Sequence, residues 1–80
     1  MAPDMVNGVI KKIDTSNDKQ SLLIVDENGF EYIFHINNNT IILTFESLKE
    51  GEEVDIIFNG ILTRSLPPQG NAIIVNGLKV

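Results

Sequence analysis

The stretch that decides the fold is FEYIFHI, residues 30–36, in which large apolar side chains alternate with mostly polar ones. One face of this stretch carries Phe30, Tyr32, Phe34 and Ile36. The opposite face carries Glu31, Ile33 and His35. A period of two residues is typical of a half-buried β-strand. We therefore predict a strand whose aromatic face fills the core of a sheet, because large apolar side chains are usually buried.

Further strands are predicted on both sides of this one. Residues 54–58 repeat the alternation, whereas residues 22–25 and 72–75 are apolar on both faces and indicate well-covered strands. The pair Asn28-Gly29 predicts a tight hairpin between the second and third strands. The first strand, over residues 6–14, places Gly8 beside the parity-breaking Ile10, so we expect a bulge or sharp bend there.

These elements predict an all-β domain, an OB-like Greek-key barrel of five principal antiparallel strands. A further apolar segment, residues 40–43, precedes Phe45–Gly51, which we interpret as a short helical turn with Leu48 against the core. Closure into a barrel is favoured because a small open sheet would leave its edges unpaired. An SH3-like barrel or a small open sandwich is the alternative fold.

The composition limits what the chain can be. Its 80 residues support one domain over residues 1–80, because two separate cores would be too small to offset chain entropy. There are 11 acidic residues against 6 basic ones, and the formal net charge of -5 disfavours nucleic acid as a partner. No cysteine accompanies the single histidine, His35, which we interpret as a surface residue. We expect no metal and no cofactor.

No pattern of catalytic residues is found, so we expect a protein that is not an enzyme. None of the four serines lies in a nucleophile motif, and no glycine-rich phosphate loop is present. There is neither a signal peptide nor an apolar run long enough to span a membrane. The expectation is an acidic monomer that is cytoplasmic as given, or exported if a signal segment has been removed.

Several motifs together resemble those of small bacterial OB-fold-like β-barrel domains of unknown function. The motifs are Gly8–Ile10, Leu23–Asp26, Tyr32–Phe34, Leu48–Val54 and Ser65–Gln69 ahead of Ala72-Ile73. The resemblance covers nearly the whole chain and implies a fold, but it implies no activity. Members of such families often occur in exported proteins or lipoproteins, whereas this sequence has neither a signal nor a lipid-acceptor cysteine.

The candidate binding site lies in the long connection over residues 60–71. Its candidate residues are Arg64, Leu66, Pro67, Pro68 and Gln69. The only arginine could anchor a carboxylate or phosphate, and the two prolines could form a rigid contact ridge. With the loop over residues 15–19, this connection would form the usual binding edge of an OB-like barrel. The alternative interpretation is purely structural: the prolines only protect a barrel edge from pairing with a further strand.

Two functions from different classes follow. The first is a non-catalytic interaction module that binds a protein or a small acidic ligand through its barrel-edge loops. The alternative is a single-stranded nucleic-acid-binding OB-fold protein that stacks bases on Tyr32 and Phe34. Lys11, Lys12 and Lys19 would supply the positive charge for that alternative, although the charges nearest the aromatic residues are acidic.

Overall fold

The computed structural model describes residues 3–78, and these form six β-strands and no helix. The strands are β1 (Asp4–Ser16), β2 (Lys19–Val25), β3 (Glu31–Ile36), β4 (Ile41–Leu43), β5 (Glu53–Phe58) and β6 (Gln69–Asn76). The predicted all-β class is confirmed. The five strands expected from alternation and apolar runs all form, and the apolar segment after residue 40 forms the short β4.

Five of the strands close into a barrel. The order is β3-β2-β1-β5-β6, and a parallel pairing between β3 and β6 completes the ring. All other contacts within the ring are antiparallel. Strand β4 lies outside the ring and pairs in parallel with the last part of β6, from Ile41↔Ile74 to Leu43↔Asn76. The result is consistent with the small OB-like barrel that the sequence predicts.

The long strand β1 is bent so that it can pair with two neighbours. Its first half pairs with β5 as far as Val9↔Glu53, and its second half pairs with β2 from Val9↔Val25 onward. The register with β2 shifts between Ile10 and Lys12, which confirms the predicted bulge. A Cβ atom at Gly8 would lie only 2.6 Å from the carbonyl oxygen of Val25, so the close approach of β2 requires glycine.

The interior of the barrel is filled by side chains of the five ring strands, whereas all three residues of β4 are exposed. The fully or nearly fully buried side chains are Ile10, Leu22, Ile24, Phe34, Val54, Ile56, Phe58, Ala72 and Val75. At the centre the rings of Phe34 and Phe58 lie 5.1 Å apart in a tilted arrangement. No buried polar or charged side chain occurs among the described residues, so the core is held by apolar burial.

The predicted helical turn over Phe45–Gly51 is wrong. In the structure these residues are irregular and end in a turn at Gly51, which has a φ of 90°. The amide of Gly51 donates to the carbonyl of Ile10 at 2.7 Å, and Ile10 N–H donates to Glu52 O at 2.9 Å. These bonds continue the pairing of β1 with β5, so this backbone is not available for a helix. Leu48 does pack against the core, as predicted.

The expectation that Phe30 belongs to the core is also wrong. Phe34 is fully buried and Tyr32 and Ile36 are half-buried against the core, but Phe30 is exposed. Phe30 precedes the first residue of β3 and belongs to the hairpin turn instead. The alternation in the sequence therefore begins one residue before the strand does, and the aromatic ring of Phe30 is left on the surface.

Candidate functional site

The hairpin turn between β2 and β3 presents Phe30 to solvent on a hydrogen-bonded frame. The carboxylate oxygen Oδ1 of Asp26 accepts from the amides of Asn28 and Phe30, both at 2.9 Å. The backbone of Asp26 also exchanges bonds with Gly29 and Phe30 at 3.0 and 2.9 Å. Gly29 supplies the left-handed conformation, with φ of 84°, that the tight turn requires.

The connection between β5 and β6 is braced by its own polar side chains. The Thr63 hydroxyl accepts from the amide of Gln69 at 3.0 Å and lies 2.6 Å from the Ser65 hydroxyl. Ser65 Oγ in turn donates to the carbonyl of Pro67 at 2.9 Å. The Leu66-Pro67 peptide bond is cis. Leu66 lies within this hydrogen-bonded loop, and its side chain is almost wholly exposed.

These two segments face each other across an open groove. It is lined by Gly29, Phe30, Glu31, Ser65, Leu66, Pro67 and Pro68 and has a volume of about 570 Å³. We call it the Phe30–Leu66 groove. The amide of Ile33 donates to the carbonyl of Pro68 at 2.9 Å and so ties one wall to β3. At the other wall Glu31 forms an ion pair with Lys11 at 2.9 Å.

The structure brings together three of the five candidate residues predicted from sequence. Leu66, Pro67 and Pro68 line the groove, whereas Arg64 and Gln69 do not. The side-chain oxygen of Gln69 lies 2.7 Å from Nε2 of His35, and its backbone pairs with Ile33 as part of β6. Arg64 is exposed and makes no side-chain hydrogen bond or ion pair with the described residues.

The expected second half of the binding edge, the loop over residues 15–19, lies elsewhere. Residues 17–20 line a different groove of about 760 Å³ together with His35, Ile36, Asn37, Asn38 and Asn71. This polar groove shares no residue with the Phe30–Leu66 groove. The register explains the separation, because Gln20 pairs with the last residue of β3, while the 65–68 loop meets the start of that strand.

Sequence reasoning missed the aromatic wall of the groove. The parity of residues 30–36 assigned Phe30 to the core, and no local pattern placed it beside Leu66. One signal was available: Phe30 directly follows Asn28-Gly29, so it lies at the end of the strand where side chains are less often covered. Its approach to residues 65–68 depends on the parallel pairing of β3 with β6, which is a long-range contact.

The electrostatics near the groove are mildly acidic. The Tyr32 hydroxyl lies 3.4 Å from Oδ2 of Asp26, the residue that organises the hairpin turn. Burial raises the pKa of Tyr32 above its usual value of 10.0, and the nearby carboxylate of Asp26 raises it further. The phenol therefore stays neutral over the physiological range, and the side chains that line the groove contribute only the charge of Glu31.

Two further features concern residues 3–78. That part of the chain contains no group of three or more histidine, aspartate or glutamate side chains arranged to hold a metal ion. It also contains no helix with the length and apolar character needed to cross a bilayer.

The fold and the groove together define a small closed β-barrel with a preformed apolar surface groove. Comparison with protein-family models and with curated proteins finds no match for the chain.

Proposed function

We propose that the protein is a non-catalytic interaction module that binds a partner protein by taking an apolar side chain into the Phe30–Leu66 groove. The observation that carries this proposal is that Leu66 and Phe30, with 95 % and 66 % of their surface exposed, stand on opposite walls of one groove. Full burial of one such side chain against a partner would contribute about 1.5–3 kcal/mol to the free energy of binding.

The rigidity of both walls supports binding without a large ordering cost. The Phe30 wall is held by the two bonds to Asp26, and the Leu66 wall by the Thr63 and Ser65 hydroxyls. A site whose backbone is already ordered loses less conformational entropy on association, so more of the apolar burial is retained as affinity. The groove volume of about 570 Å³ also falls within the usual range for binding pockets.

A small acidic ligand receives less support than an apolar side chain. Its expected anchor, Arg64, does not line the groove, while Glu31 does. An anion placed between Phe30 and Leu66 would meet that carboxylate without a facing cation, because Lys11 is already paired with Glu31 at 2.9 Å. Arg64 can still contribute at the rim, where a charge affects mainly the rate of association.

The nucleic-acid alternative receives less support again. The ring of Phe34 is fully buried and packs on Phe58, so it offers no face to a base. Tyr32 is half-buried and lies 5.9 Å from Phe34 in a stacked pair. Base stacking needs an exposed aromatic platform within a cationic groove.

The test begins with a random peptide library selected on the immobilised protein. Enriched peptides are then titrated by fluorescence anisotropy against the wild-type chain and a Phe30→Ser, Leu66→Ser double variant. We expect peptides with a shared bulky apolar residue and at least about a tenfold loss of affinity in the double variant, since apolar anchors dominate such interfaces.

The matched control is Ile61→Ser. Ile61 belongs to the same connection and is 55 % exposed, but it does not line the groove. Its affinity for the same peptides should stay within about twofold of wild type, which is the scale of a contact outside the interface. Enriched peptides that bind the double variant as tightly as wild type would refute the proposal.

A further inference from the structure

A second apolar surface lies on the outside of the barrel, away from the Phe30–Leu66 groove. The strand registers align Met5 with Ile57, Ile57 with Ile74, and Ile74 with Ile41. Directly paired residues of neighbouring strands project from the same face of a sheet. Four apolar side chains therefore form one row across β1, β5, β6 and β4, which we call the outer row.

The outer row is open to solvent at both ends. Met5 is 56 % exposed and Ile41 is 53 % exposed, while Ile57 and Ile74 between them are half-buried. The neighbouring Ile73 and Leu43 are exposed as well. Scattered single apolar residues are normal on a surface, but a contiguous group of this kind indicates an interaction site.

The row ends at a free sheet edge. Within residues 3–78, β4 is last in the strand order and has β6 on one side only. Gly77 N–H donates to the carbonyl of Leu43 at 2.7 Å, so Leu43 directs its backbone toward β6. Because successive residues of a strand direct their backbone groups to opposite sides, the N–H and C=O of Ile42 point away from the barrel.

This edge lacks the features by which proteins protect edges. Residues 40–44 read TIILT and contain no lysine, no proline and no other charged residue. Exposed edges are ordinarily blocked by charges, by proline or by a covering segment. An unprotected edge beside an exposed apolar row is suited to the addition of a further strand.

The charges around the edge define the partner. A groove of about 420 Å³ begins at Thr44, immediately after β4, and we call it the acidic groove. Its lining includes Glu46, Glu50 and Glu52, against the single cation Lys49. Lys49 is itself paired with Glu46 at 3.3 Å. Strands β4, β5 and β6 and residues 4–9 of β1 contain no lysine and no arginine. Strand addition here places the partner beside negative charge.

We propose that β4 accepts an added β-strand from a basic segment of a partner protein. The backbone of that strand would pair with Ile42, its apolar residues would extend the outer row beyond Ile41, and its lysine or arginine residues would neutralise the acidic groove. A second copy of this chain is the less favourable occupant, because it would bring the same acidic groove and a further net charge of -5.

The probe is a synthetic peptide of about seven residues, the length of an ordinary strand, in which valine alternates with lysine. A second peptide replaces each lysine with glutamate. We expect the lysine peptide to bind at least about tenfold more tightly, with an affinity that falls as salt is added. The amide signals of residues 41–43 in ¹⁵N-labelled protein should shift on titration.

The variant Ile41→Lys places a charge on the edge and interrupts the outer row. Its matched control is Ile61→Lys, at a site with nearly the same exposure (55 % against 53 %) but far from β4 in sequence and absent from its pairings. We expect at least about a tenfold loss for Ile41→Lys and less than about a twofold change for Ile61→Lys. Glu46→Lys should weaken binding and reduce its salt dependence.

Three results would overturn the proposal. They are equal binding of the lysine and glutamate peptides, binding that Ile41→Lys leaves unchanged, and a dimer of the free protein that Ile41→Lys dissociates in sedimentation experiments. The last result would assign the edge to a second copy. The acidic groove and the Phe30–Leu66 groove share no residue. The Phe30→Ser, Leu66→Ser variant should therefore still bind the lysine peptide, whether or not the Phe30–Leu66 groove binds an apolar side chain.

Discussion

Two irregular stretches of this barrel, residues 44–48 and residues 61–68, pack against the core in a similar way but differ in the hydrogen bonds of their backbones. Each packs one leucine against the core, Leu48 in the first and Leu62 in the second. The first exposes Phe45, and the second exposes Leu66 and Ile61. In residues 61–68 the hydroxyls of Thr63 and Ser65 hold the backbone. Residues 44–48 make no backbone hydrogen bond to the rest of the described chain.

The difference in hydrogen bonding shows which of the two stretches holds its exposed side chains on a fixed backbone. A loop whose polar groups are bonded internally can present an apolar side chain in one position, and this suits the Phe30–Leu66 groove. The backbone of residues 44–48, which follows the β4 edge, has no such internal bonds to fix it. With one anchoring leucine each, the two stretches therefore differ in how far hydrogen bonds fix their backbones.

The largest effect is expected from removing the two anchors. Leu48→Ala and Leu62→Ala should each lower the free energy of unfolding by about 2 kcal/mol, the lower end of the range for leucine truncation, because both side chains are only partly buried. Urea unfolding would measure this. The control is Ile61→Ala, at an exposed site, which should change stability by less than about 0.5 kcal/mol. A negligible effect of Leu48→Ala would show that residues 44–48 have no anchor and would break the comparison.

The second effect tests the hydrogen-bonded frame. Thr63→Val keeps the shape of the side chain but leaves the amide of Gln69 without its acceptor, at a cost of about 1–2 kcal/mol. Amide hydrogen exchange at Gln69 should accelerate, and Thr63→Ser should restore both properties. In the unbraced stretch, Thr44→Val should change stability by less than about 0.5 kcal/mol, since the Thr44 hydroxyl has no partner among the described residues. Equal costs at the two threonines would contradict the distinction.

The smallest effect concerns the Asp26 turn, which is braced in the same way as residues 61–68. Tyr32 is the only tyrosine, so its ionisation can be followed by ultraviolet absorbance. The midpoint should lie above 10.0, because burial and then Asp26 raise the pKa of Tyr32. The unfolded chain ionises first, so this tyrosine reduces stability as the pH rises above about 10. Asp26→Asn should lower the midpoint only in part, and a midpoint restored fully to the ordinary value would show that burial contributes nothing.

Much of the fold could be predicted because its strongest signals are local. The alternation of residues 30–36 and 54–58 predicted interior faces, and Gly8 beside Ile10 predicted the bend of β1. The helical turn was predicted wrongly because the bonds that exclude it come from Ile10, about forty residues earlier in the chain. A pattern read within one segment carries no information about a hydrogen-bond partner so distant in sequence.

The candidate site was predicted in part for the same reason. Leu66, Pro67 and Pro68 were found because a proline pair in a long connection is visible in the sequence. Arg64 was predicted as a charged anchor and Gln69 as a residue presented by the rigid proline pair, yet neither lines the groove, and Gln69 is bonded to His35. Phe30 was missed because the end of a strand cannot be located to one residue from alternation alone.

By itself, the sequence determined that this chain is an all-β domain with an apolar interior, since the period of two and the turn residues are local properties. The tertiary structure alone decided which surfaces meet. The parallel pairing of β3 with β6 brings Phe30 to Leu66, and it covers only residues 69–71 of β6. The remaining stretch of β6 is therefore left for β4, which becomes an exposed edge although its residues are as apolar as those of a core strand. Whether β3 or β4 pairs with a given part of β6 depends on contacts between residues that are distant in sequence. These contacts form only when the whole barrel closes.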